Sequence, residues 1–155
     1  MPGTDSGMNE NGNVEEVARS AARGVVGAMA MTGMRAFTVG LGLVKESPPR
    51  AVLRKSTKGL IGLVPKKRRR AAVELFHWGF GAAAGAGFAA LPDDIQRRRW
   101  AGPAYGLATW LAFELGIAPA LNLPHAKQPR PVERLFIALD HLLFGLVLSE
   151  RRGPR

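Results

Sequence analysis

The stretch Ala71 to Leu91, AAVELFHWGFGAAAGAGFAAL, decides how the rest of the chain is read. It is apolar or small along its length, reaches the roughly 20 residues a helix needs to cross a bilayer, and is interrupted only by Glu74 and His77. Gly81 and Gly85 stand four apart with Ala82 and Ala86 beside them. Small residues at that spacing let helix backbones approach closely in a bilayer. Charge in such surroundings is expensive, so Glu74 and His77 require partners.

Three further segments share this character. Gly24 to Val44 (GVVGAMAMTGMRAFTVGLGLV) carries Arg35 and is expected to stop at Lys45 and the Pro48-Pro49 pair, because proline cannot continue a helix and restricts the residue before it. Ala101 to Leu121 carries Glu114, repeats the small spacing at Gly102 and Gly106, and opens beside Trp100 and Tyr105, read as interface aromatics. Val132 to Ser149 is the shortest apolar run and carries Asp140 and His141; Pro131 suits its first turn. Sheltered by three partners it spans with its ends snorkelling. The expected fold is all-α, a polytopic bundle of about four transmembrane helices near 24–44, 71–91, 101–121 and 132–149 within one membrane domain, 21–150.

The 155 residues correspond to one domain, and 46% hydrophobic content is enough to bury a core. Mean hydropathy is only −0.01, since polar tails and a basic loop dilute discrete apolar segments. Cysteine is absent, which excludes disulfides, thiolate metal sites and a cysteine nucleophile. A net charge of +10 would, in a soluble protein, point to phosphate contacts with nucleic acid. The distribution points elsewhere: ten of the 22 Lys/Arg lie between Lys45 and Arg70, and most others sit just beyond segment ends. That is the pattern of flanks facing anionic lipid headgroups. The expected partners are therefore the bilayer and its headgroups, met by Arg54, Lys55, Lys58, Lys66, Lys67, Arg68, Arg69 and Arg70, with no nucleic acid.

Within the 45–70 loop, Leu53, Thr57, Leu60, Ile61 and Val64 share one helical face while Arg54, Lys55 and Lys58 occupy another. This pattern fits a short amphipathic helix, lying either at the membrane interface or on the protein itself. Met1 to Ser20 is rich in Gly, Asn, Ser and acids and is expected to be a disordered tail. No basic n-region precedes a cleavable apolar run, so Gly24 to Val44 reads as an uncleaved anchor. A basic tail, 151–155, closes the chain. Four spans put 13 Lys/Arg on the first-loop side against 8 on the other, which favours a cytoplasmic first loop.

At about 1.5 Å rise per residue, Arg35, His77, Glu114 and Asp140 all lie about 9–13 Å from the first-loop ends of their segments. Together with Glu74 and His141 they are expected to form one intramembrane polar cluster. Arg35 faces Glu74, Glu114 and Asp140 and pairs with one of them, or two in a fork. An acid in excess is left to share a proton with His77 or His141.

Three roles compete for such a cluster: interior glue between helices, a route for protons or small ions, or a metal site. Glu74-x-x-His77 has the spacing used in di-iron bundles, but a second such motif is missing, and the adjacent Asp140 and His141 point about 100° apart on a helix. No G-x-S-x-G, Walker loop or dinucleotide fingerprint in a strand-to-helix setting is present. The expectation is an integral membrane protein with a structural or interaction role, not an enzyme, with no cofactor or metal and with Gly-rich faces for self-association. The alternative is proton or small-ion handling through the Glu/Asp/His cluster.

His77-Trp78 followed by Gly79, Gly81, Gly85 and Phe88, then Gly102, Tyr105-Gly106, Trp110 and Glu114, and finally Asp140-His141 with Phe144-Gly145, resemble the small bacterial inner-membrane proteins of unknown function typified by YagU. The resemblance covers roughly Gly24 to Leu148 in scattered small and aromatic positions. It implies a multi-pass protein of the bacterial cytoplasmic membrane and brings no catalytic residues. The basic 45–70 segment and the Gly/Asn-rich tail depart from it.

Overall fold

Small residues recurring every three or four positions set how this chain packs. The computed structural model describes residues 5–43, 64–120 and 131–149 and is all-α, with no strand among them. Its elements are α1 (Asp5–Gly40), a 3-10 turn (Lys66–Arg68), α2 (Arg69–Ala89), a short α3 (Asp93–Gln96), α4 (Ala101–Ala112), a π-helical segment (Phe113–Ile117), α5 (Ala118–Ala120) and α6 (Pro131–Ser149). Helix α1 packs on α2, α4 on α6, and α1 on α6.

Both crossings are made backbone to backbone. A Cβ added at Gly81 would meet the carbonyl of Gly24 and the methyl of Ala28, and one at Gly85 would meet the carbonyl of Ser20. In the second pair, a Cβ at Gly106 would meet the carbonyl of His141, and one at Gly102 the carbonyl of Gly145 and the side chain of Ser149. The reversed order of these contacts makes both pairs antiparallel. Ser20 strengthens the first crossing by donating to the Gly85 carbonyl (2.7 Å). Gly81, Gly85, Gly102 and Gly106 are thus occupied inside the chain, so self-association would have to use other faces.

Met31, Phe88, Ala101, Phe144 and Leu148 form an apolar core at the α3 end, with Leu91, Ile95 and Tyr105 packed against it. Gln96 caps the end of α2 there, donating to the carbonyls of Ala89 (3.1 Å) and Leu91 (2.8 Å), which no helical N–H can reach. Tyr105, expected at a membrane interface, instead donates to the Ala84 carbonyl (2.8 Å) and meets Phe88 edge to face at 5.3 Å. Trp100 is exposed.

Polar side chains share the interior with the apolar core, and large apolar ones are left outside. Inward positions hold Ser20, Arg35, Thr38, His77, Glu114, Glu133 and Asp140, whereas Phe37, Leu75, Phe76, Leu115, Leu135 and Leu146 face outward. No helix among the described residues is long and apolar enough to cross a membrane.

Several boundaries differ from the sequence expectation. Helix α1 begins at Asp5, inside the stretch expected to be a disordered tail, and stays exposed from Gly12 to Arg19 until Ser20 is buried. An ion pair of Glu15 with Arg19, one turn apart, supports this extension, and elongating an already packed helix needs no new nucleus. The same helix stops at Gly40, short of Lys45, because Gly42 turns left-handed (φ 71°). Leu43 N–H then bonds the Thr38 carbonyl and Gly42 N–H the Val39 carbonyl, both at 3.0 Å, a Schellman closure. Pro119 lies within α5. Its missing N–H and its clash with the carbonyl four residues back are relieved by the widened π turn before it.

The proposed amphipathic helix, with Arg54, Lys55 and Lys58, lies outside the described residues apart from Val64, as does the 151–155 tail. Lys66, Lys67, Arg68 and Arg70 are exposed around the start of α2, and Arg69 Nε donates to the Val64 carbonyl (3.0 Å).

Candidate functional site

Below the two glycine crossings, the helices carry their ionisable residues toward one another. Helix α1 presents Thr32 and Arg35, one turn apart; α2 presents Glu74 and His77 at the matching (i, i+3) spacing; α6 presents Asp140 and His141. Thr32 Oγ1 donates to Glu74 Oε2 (3.0 Å), with the Ala28 carbonyl as a second acceptor at 3.1 Å, and lies 3.5 Å from His77 Nδ1. His77 Nε2 is 3.5 Å from the Arg35 guanidinium, and Arg35 Nε is 3.9 Å from Asp140 Oδ2. Glu74, Thr32, His77, Arg35 and Asp140 therefore form one string across α1, α2 and α6.

This string is loosely made at its centre. The Arg35 and Asp140 side chains are each 8% exposed, and their 3.9 Å separation is an ion pair without a hydrogen bond. Arg35 Nε and Asp140 Oδ1 have no hydrogen-bond partner among the described residues. His141 sits beside them with its Nδ1 2.8 Å from the Ile137 carbonyl. A carbonyl only accepts, so Nδ1 carries the proton, and Nε2 of a neutral ring is left as an acceptor.

Glu114 has a partner on α6. It accepts from Arg134 Nε at 2.7 Å; the Glu114 side chain is 5% exposed and that of Arg134 45%. Of the six residues expected in one cluster, Glu74, His77, Arg35 and Asp140 join in the string with His141 beside it, and Glu114 pairs with Arg134, linking the π segment to α6. Arg134, at the start of α6, reaches back to the bundle.

Arg35, His77, Asp140 and His141 form the polar floor of a cavity of about 130 Å³ whose walls include Ala28, Met31, Phe76, Phe80, Phe113 and Phe144. Two of its walls carry the same pattern, His-x-x-Phe-Gly, once at His77 to Gly81 on α2 and once at His141 to Gly145 on α6. In both, the histidine and phenylalanine line the cavity, and the glycine makes the close helix crossing one turn later. The repeat is the signal by which His141 and Phe144 are recognisable in the sequence as counterparts of His77 and Phe80.

Among the described residues, no group of three His, Cys, Asp or Glu side chains is placed to hold a metal ion. Glu74 and His77 share a helix face, but Thr32 lies between their polar atoms. In comparison with known proteins, the chain matches no family model, no curated protein and no solved structure.

Proposed function

We propose that this chain is an integral membrane protein whose bundle seals ionisable side chains against one another and turns apolar ones toward lipid. The ionisable groups in the interior and the large apolar ones outside carry the reading: Arg35, Asp140 and Glu114 are buried while Phe37, Leu75, Leu115 and Leu135 are exposed. In water, that arrangement forfeits hydrophobic burial and desolvates charge at once. In a bilayer the outward apolar side chains meet lipid, and the bundle interior, among partners, is the least costly place for charge. Averaged around its circumference, each helix loses apolarity to its inward polar and glycine face, whereas lipid meets the outward face. The role that follows is structural or interactive, with the polar string as interior glue and Lys66 to Arg70 at the headgroups.

Fractionation tests it directly. The chain should stay in the membrane pellet through alkaline carbonate and high salt and be released by detergent. Release by carbonate or salt alone removes the reading.

A second reading, proton handling, is favoured by the continuity of the string, whose successive separations are 3.0, 3.5, 3.5 and 3.9 Å. Proteoliposomes should show a pH-driven flux that Glu74→Gln and Asp140→Asn suppress and Glu114→Gln leaves intact. No flux in the wild type, or equal flux in all three variants, counts against it.

A further inference from the structure

The two helix pairs are counterparts of each other. Leu75-x-His77-x-x-Phe80-Gly81 on α2 returns as Leu139-x-His141-x-x-Phe144-Gly145 on α6, and the contacts return with it. Gly81 crosses α1 between Gly24 and Ala28, as Gly145 crosses α4 between Gly102 and Gly106; Gly85 beside Gly24 corresponds to Ser149 beside Gly102. A motif that repeats in sequence and in its contacts marks a repeated structural unit. The cavity lies between the two units and is lined by corresponding residues of each: His77 with His141, Phe80 with Phe144, Met31 with Thr109.

The correspondence breaks on one side. Helix α1 packs along α6, whereas α4 has no comparable packing on α2. Phe144 lies over Gly27 of α1, where a Cβ would meet its ring, and is 3% exposed; its counterpart Phe80 is 46% exposed. Aligned on the matched glycines, the residue of α4 that corresponds to Gly27 is Tyr105. Tyr105 bridges the gap to α2, its hydroxyl donating to the Ala84 carbonyl (2.8 Å) and its ring meeting Phe88 edge to face. Side chains at a helix contact set how near the axes come, so glycine admits a neighbour where tyrosine keeps it off. Voids in a packed interior are costly, and an open cavity therefore needs a part that holds it open.

We propose that Tyr105 is a wedge that holds α4 off α2 and keeps the cavity open on that side, and that α4 closes onto α2 when the wedge withdraws. In the closed arrangement Phe80 lies on α4 as Phe144 lies on α1, and the cavity shrinks. The bond to the Ala84 carbonyl latches the open state, and the ring is its spacer. Phe76 and Phe80, half exposed, line the cavity on this side, so closure shuts its route to the outside. The wedge acts the same whether the outer face of the bundle meets lipid or water.

The test is double electron–electron resonance on the purified full chain in detergent, with spin labels at corresponding positions. Leu75→Cys with Leu111→Cys spans α2 and α4; Leu139→Cys with Gly33→Cys spans α6 and α1, and all four positions are exposed. The first distance should exceed the second. Tyr105→Gly should shorten the first toward the second and leave the second unchanged. Tyr105→Ala, without glycine's penalty in a helix, should shorten it nearly as far. Tyr105→Phe keeps the ring and loses the hydroxyl, and should raise the ratio of closed to open about fivefold, the worth of one hydrogen bond. Three results overturn the proposal: equal distances for the two pairs in the wild type, a first distance that stays long in Tyr105→Gly and Tyr105→Ala while the melt remains cooperative, or a Tyr105→Phe distribution identical to that of the wild type.

Discussion

The α1–α2 and α4–α6 pairs begin alike and end differently. Each crosses through glycines in backbone contact, and each carries a His-x-x-Phe-Gly motif on its second helix. Beyond the crossing, the second pair ends in a short, partly solvated ion pair, Glu114 with Arg134 at 2.7 Å. The first pair leads into a looser string that reaches α6 through Arg35 and Asp140, 3.9 Å apart with an unpartnered atom on each side among the described residues. The difference between the two is one of geometry: Glu114 and Arg134 meet at hydrogen-bond distance with one side chain nearly half exposed, whereas Arg35 and Asp140 are both buried and lie beyond that distance, beside a cavity.

The largest effect that separates the two regions should come from the crossings. Gly81→Leu and Gly145→Leu push side-chain atoms into backbone with no flexible neighbour to yield. Overpacking costs about 1–3 kcal/mol and occasionally more, and here it should reach the upper end or prevent assembly, read as loss of a cooperative melt in detergent. Gly79, with nothing within 4 Å of an added Cβ, supplies the contrast: Gly79→Ala should be neutral or stabilise by about 0.5–1 kcal/mol.

Next in size is Arg35→Ala. Removing one partner of a buried pair costs about 3–5 kcal/mol, because the other charge is left stranded, whereas replacing both by apolar residues is often neutral. Arg35→Met with Asp140→Leu should therefore recover most of the melting temperature while losing any flux. If the double variant is as unstable as the single, the cluster is a strut and the contrast between the two pairs disappears.

Arg134→Ala should cost less, about 1–3 kcal/mol, since Arg134 is nearly half exposed and solvent screens it. Ser20→Ala should cost about 1 kcal/mol through its hydrogen bond to the Gly85 carbonyl. Smallest of all, Glu15→Gln should shift the melt by less than about 1 kcal/mol, as exposed pairs do.

The contrast also marks what is readable in the sequence. Glycines four apart in apolar segments announce close crossings, and charge inside such segments announces an interior surface, because both follow from composition and period alone. Which acid meets which base does not. Glu114 lies at a depth similar to that of Arg35, yet pairs with Arg134, since rotation about the helix axis, altered here by the π turn before Pro119, decides what depth leaves open. The length of α1 was hidden as well: Gly, Asn and Ser argue for a disordered start, but a helix anchored from Ser20 onward propagates through them. The end at Gly42 depends on a single left-handed glycine among several in that stretch.

The central claim is that the apolar outer face meets lipid while the polar face looks inward, and the absence of cysteine makes it directly measurable. Single cysteines at Leu75, Leu111 and Leu139, all outward, can be spin-labelled in liposomes and their collision rates compared for oxygen, which concentrates in the hydrocarbon, and for a water-soluble nickel chelate. High oxygen and low nickel accessibility at all three positions is the predicted result. Nickel accessibility matching that of a label at exposed Asp93→Cys would place those leucines in water and contradict the account.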